Sequence, residues 1–133
     1  MLVTYTPTGG GTAITLAGAA SDCSDDPQGF ACAYRDADSV EDIVGASYPA
    51  TFRRGNRVVS ASFRTTWLYS TIDAAQTAAL DLPTKFTTTG VVVFKDNAGT
   101  TRLTLTGSLV SGSVETVQGC TVVYSYSITG YIT

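Results

Sequence analysis

Between Val59 and Tyr69 the side chains alternate. Val59, Ala61, Phe63, Thr65 and Trp67 fall on one set of positions, and Ser60, Ser62, Arg64 and Thr66 on the other. A period of two is the signature of a strand with one face on the core and one toward solvent. Trp67 is the largest side chain on the inward set and is expected to contribute most to that core. Thr121–Thr129 repeats the pattern, with Val122, Tyr124, Tyr126 and Ile128 on one face and Thr121, Val123, Ser125 and Ser127 on the other. Shorter runs of the same kind cover Leu2–Tyr5, Thr12–Leu16, Val91–Lys95, Thr101–Thr106 and Leu109–Val117, the last bent or weakened at Gly112. Turn residues punctuate them: Pro7 with Gly9, Gly10 and Gly11, then Asp96-Asn97-Ala98-Gly99, then Gln118-Gly119.

One segment has helical spacing instead. Ile72, Ala75, Ala79 and Leu80, with Leu82 just beyond, form an apolar stripe. Ser70 is placed to cap its start, with Asp73 three residues on, and Pro83 ends it. The predicted helix, about Thr71–Leu80, is short and needs a sheet to stand on. Ala17–Tyr48 shows little periodicity and reads as a long acidic loop or excursion from the sheet, at about 17–48. Within it, Val40–Val44 fits a short strand or a turn of helix equally. The order of elements predicts a single mainly β domain over residues 1–133. It is a β-sandwich or open barrel of antiparallel strands with one short flanking helix. Pairing between strands distant in sequence implies slow folding.

Composition narrows the function classes. Charged residues make up 14% of the chain, below the usual quarter or so, and the net charge is −3. Such a surface is either covered in part by other subunits or kept soluble by its Thr and Ser. The acidic balance argues against a general nucleic-acid binder. No run approaches the ~20 apolar residues that span a bilayer, and Met1–Gly11 lacks the pattern of a signal peptide, so a cytoplasmic product is expected. There is no histidine, which excludes Ser-His-Asp and Cys-His catalysis within the chain. Gly9-Gly10-Gly11 lacks the lysine of a phosphate loop. No enzyme activity, cofactor or zinc site is expected. Cys23 and Cys32 are placed to close a small loop in an oxidising compartment and stay as thiols elsewhere, and Cys120 makes the count odd.

Charge is unevenly placed. Asp22, Asp25, Asp26, Asp36, Asp38, Glu41 and Asp42 fall in one stretch, and Arg53, Arg54, Arg57 and Arg64 follow with no acid among them. The acids read as a solvated loop, as oxygen ligands for calcium, or as a patch of one subunit meeting the arginine edge of the next. These eleven residues are the candidate subunit-interface set. The arginines alone would also suit a nucleic-acid backbone.

Arg54-Gly55-Asn56-Arg57 leads into the long strand. The Ala-rich helix follows, then Leu82-Pro83, the Gly90–Phe94 strand, Leu103–Leu109 and a Tyr-rich final strand Val122–Gly130 that ends in Ile128-Thr129-Gly130. This pattern, over about 80 residues from Arg53 to Gly130, resembles small structural proteins of tailed bacteriophages, of the tail-tube and distal-tail kind. The stretch 17–48 falls outside it. The resemblance implies a virion protein, made in the host cytoplasm, that assembles into rings or tubes and docks to neighbouring tail or neck proteins. It implies copies of itself and other virion proteins as partners, no membrane, and DNA contact only if the protein lines a tail lumen. The alternatives are a carbohydrate- or receptor-binding sandwich, with Trp67, Tyr69, Tyr124 and Tyr126 as a stacking platform, and a capsid decoration protein.

Overall fold

The computed structural model describes residues 1–18, 27–36, 38–41, 50–53 and 57–132. Nine strands, one α-helix and a single 3-10 turn make up the described chain. In order they are β1 (Leu2–Pro7), β2 (Ile14–Ala17), β3 (Gln28–Arg35), β4 (Asp38–Glu41), β5 (Ala50–Arg53), β6 (Arg57–Leu68), α1 (Ile72–Asp81), the 3-10 turn Leu82–Thr84, β7 (Gly90–Lys95), β8 (Thr101–Gln118) and β9 (Thr121–Ile132). Seven strands form one sheet in the order β2-β1-β7-β8-β9-β6-β3, antiparallel at every junction and not closed into a barrel. β4 and β5 pair as a separate two-stranded sheet.

The mainly β expectation with one flanking helix holds. β8 explains how one sheet makes two layers. Its first half pairs with β7 from Thr101 to Ser108, and its second half pairs with β9 from Thr106 to Gln118. The changeover lies at Gly107, whose φ of 57° is left-handed, where the β8–β9 register slips between Thr106 and Leu109. A bulge of this kind bends a strand and increases its twist. Ser108, fully buried at the bend, donates from Oγ to the Leu105 carbonyl at 2.9 Å. Two expected strands are therefore one. The bend sits at Gly107, not at Gly112. Gly112 instead makes room: a Cβ there would lie 3.0 Å from the Tyr126 ring and 3.4 Å from Leu82.

The core fills the space between the two halves. Val3, Tyr5, Leu16, Val92, Phe94 and Leu105 come from the β2-β1-β7-β8 side. Val59, Ala61, Phe63, Val122, Tyr124, Tyr126 and Ile128 come from the β6–β9 side, as the alternation predicts. Phe86 stands between the layers, edge-on to Tyr5 at 5.2 Å and to Tyr126 at 5.9 Å.

The helix is capped by Thr71, one residue beyond the expected Ser70; its Oγ1 accepts from the Ala74 amide at 3.1 Å. Ala75 is fully buried and Leu82 nearly so, whereas Leu80 is 79% exposed. At 3.6 residues per turn Leu80 points about 140° away from Ala75, off the packed face. Ile72 is also exposed.

Part of the stretch expected as a loop is sheet. β2 extends to Ala17, Gln28–Arg35 pairs with β6, and β4 covers Asp38–Glu41; of Val40–Val44, where strand and helix fitted equally, Val40 and Glu41 are strand and the rest lies outside the described residues. No described helix is long and apolar enough to cross a membrane.

Candidate functional site

The strand that the sequence hid, β3, forms one edge of the main sheet. Its residues alternate large and small: Phe30, Cys32 and Tyr34 against Ala31 and Ala33. Phe30 turns inward at the mouth between the layers, with its ring 6.4 Å from Phe63 and 5.9 Å from Phe94. Ala31 and Ala33 stand opposite Ser62 and Ser60. With Ser127 these four small residues border a shallow depression of about 260 Å³ on the outer face. All eight residues of β3 are exposed. β6 pairs along one side of β3, and no described strand pairs along the other. An unpaired row of amide and carbonyl groups is a template for another strand.

One candidate acid meets one candidate arginine within the chain. Asp36, one residue past β3, accepts from Arg57 Nε at 2.6 Å, and the Arg57 guanidinium lies 4.3 Å from the centre of the Tyr34 ring. Asp38 stands opposite Arg53 in the β4–β5 register, and Glu41 opposite Ala50. The β3–β6 pairing thus brings Asp36 and Arg57 together within a single chain. Arg64 reaches along the outer face to Glu115 of β8 at 2.9 Å. Glu115 was not in the expected set, because only the β6-β9-β8 register brings it to Arg64. These exposed pairs stabilise by ~0–1 kcal/mol each and mainly fix orientation. Arg54, Asp22, Asp25, Asp26 and Asp42 lie outside the described residues.

A second feature lies at the other end of the inner face. Trp67 and Tyr69 at the end of β6 stack at 6.1 Å, and Tyr124 and Tyr126 of β9 stack at 5.8 Å. The Tyr69 and Tyr124 hydroxyls are hydrogen-bonded at 2.9 Å. Burial, and then this hydrogen bond, push the Tyr124 phenol well above its ordinary pKa. These four rings, with Ile14 and Thr15 of β2, Ala78 of the helix and Lys85 beyond it, line a half-open cavity of about 350 Å³. Trp67 is not the fully buried core residue its position suggested; it is half-buried and forms a cavity wall. Its Nε1–H is buried with no acceptor among the described residues.

Among the described residues no three His, Cys, Asp or Glu side chains gather as a metal site would require. Cys32 is an exposed free thiol and Cys120 a partly buried one, while Cys23 lies outside the described residues. The chain matches no protein-family model. It likewise matches no curated protein.

Proposed function

We propose that this protein is a structural subunit that acts by assembly, as a component of a tailed-phage virion, through rings or tubes of its own copies and docking to neighbouring virion proteins. The observation that carries the reading is β3. It is an eight-residue strand, exposed throughout, whose outer edge no described strand occupies. Pairing with a strand of the next subunit would satisfy that edge and continue the sheet across a subunit boundary. The exposed apolar side chains Tyr34, Leu109 and Tyr131 add to the surface that neighbours would cover. The open antiparallel sheet with its flanking helix agrees with the architecture that the Arg53–Gly130 pattern implies. The sparse charge agrees with a surface partly shared between subunits.

Light scattering coupled to size exclusion tests this, followed by negative-stain microscopy for ring, tube or capsid location. The wild-type chain is expected to form closed assemblies at high concentration. Lysine at Ala31 and Ala33 places charge on the edge strand and is expected to leave folded monomers. A wild-type protein that stays monomeric at every concentration, and binds no other virion protein, overturns the reading.

A further inference from the structure

The middle of β3 is a palindrome. From Phe30 to Tyr34 it reads aromatic, Ala, Cys, Ala, aromatic, the same from either end. Cys32 and Tyr34 stand opposite Ala61 and Val59, whose side chains face the core, and Ala31 and Ala33 stand opposite Ser62 and Ser60 on the outer face. Gly29, at a φ of 61°, ends the regular run on one side. No residue of the run is charged, so the edge lacks the usual guard against pairing with another strand. Phe30 keeps 37% of its surface exposed and Tyr34 64%, and both have area left for a neighbour to cover.

On the reading that the protein assembles through this edge, we propose that β3 pairs antiparallel with the β3 of a second copy, about a two-fold axis beside Cys32. The two seven-stranded sheets then run on as one. Such an axis, normal to the sheet, keeps every side chain on its own side, so it must pass beside a single residue and set its neighbours opposite in pairs. With Cys32 on the axis, Phe30 meets Tyr34 of the partner subunit, Ala31 meets Ala33 of the partner subunit, and the two Cys32 residues face each other. Aromatic pairs of this kind stabilise a sheet, and symmetry makes two of them. The neighbouring registers match less well. An axis at Ala31 sets Phe30 against Cys32 and Tyr34 against Gln28; one at Ala33 sets Phe30 against Asp36 and Ala31 against Arg35. Because the contact is the same patch on both copies, it closes in pairs. Larger assemblies are then built from these pairs and hold an even number of chains.

Cross-linking tests the axis. Residues directly opposite in an antiparallel pair have Cα atoms ~4.5–5.5 Å apart, inside the ~4.4–6.8 Å that a disulfide spans. Cys32 is exposed, and Cys23→Ser with Cys120→Ser leaves it as the only thiol of the full chain. Dioxygen with copper-phenanthroline takes two protons and two electrons from two facing thiols. A band at twice the chain mass is expected on a non-reducing gel and is expected to vanish with dithiothreitol. Moving the thiol to the next residue, with Cys32→Ser and Ala33→Cys, sets it opposite Ala31 of the partner subunit, and the band is expected to be lost. The proposal is overturned by an assembled Cys32-only chain that gives no band, or by an equal band from the Ala33→Cys chain. The mass of the wild-type assembly is a check free of substitutions: an even number of chains is expected, and an odd number overturns the pairing. Each of these failures leaves assembly standing, whereas a wild-type chain that is monomeric at every concentration removes both.

Discussion

At Gly130 of β9 there is no room for even a methyl group. A Cβ would run into the Ser108 hydroxyl and lie 2.9 Å from the Leu105 Cβ, both belonging to the bend of β8. The backbone of β9 and the bend of β8 are therefore in direct contact. Gly130→Ala is expected to cost ~1–3 kcal/mol, the usual range for overpacking a filled site, read as a lower urea midpoint at unchanged slope. Tyr124 makes a second prediction. Its phenol pKa is raised on folding, so the folded state holds that proton more tightly than the unfolded chain. The associated stability is complete below the unfolded value near pH ~10 and is lost as pH climbs past it. Thermal melting is expected to fall steeply above pH ~10 in the wild type and less steeply in Tyr124→Phe. Single residues were unevenly legible in the sequence. The inward tyrosines of β9 showed plainly, because alternation depends only on local spacing. The partners of Arg57 and Arg64 did not, because strand register chooses them, and register is a property of three strands together.

Among the elements, α1 depends on its surroundings and its cap. Ten residues are too few to stand alone, and the helix is held by Ala75 and the adjoining Leu82 against the sheet. Thr71→Ala removes the side-chain acceptor from the first turn and is expected to cost about 1 kcal/mol, seen in chemical denaturation as a matching loss of stability. The cap was displaced by one residue from the sequence reading because Ser70 and Thr71 are both capable cap residues and chain entry from β6 decides between them. β3 escaped detection for a different reason. Its residues are exposed on both sides, so burial never imposed the alternation of apolar and polar types that marks β6 and β9. Its pattern is one of size instead, large against small. In the sequence β8 reads as two runs, Thr101–Thr106 and Leu109–Val117, because the alternation breaks at Gly107-Ser108. In the fold that dipeptide is a bulge, and pairing continues through it on both sides.

For the whole molecule, the seven-stranded antiparallel sheet gives a scaffold packed between its two layers, with no described strand beyond β3. The fold class was legible because seven alternating runs and one helical stripe leave few ways to bury the apolar faces. The aromatic cavity was not, because it needs β2, the helix and β9, three elements far apart in sequence, to meet at one place. The continuity of β8 has a mechanical consequence. The two layers share this strand, so neither can peel away without breaking hydrogen bonds in the other. The two layers of the seven-stranded sheet are therefore expected to melt together. A pull applied at the β3 edge passes through β6 and β9 into β8, and onward to β7 and β1, so every junction in that series carries it.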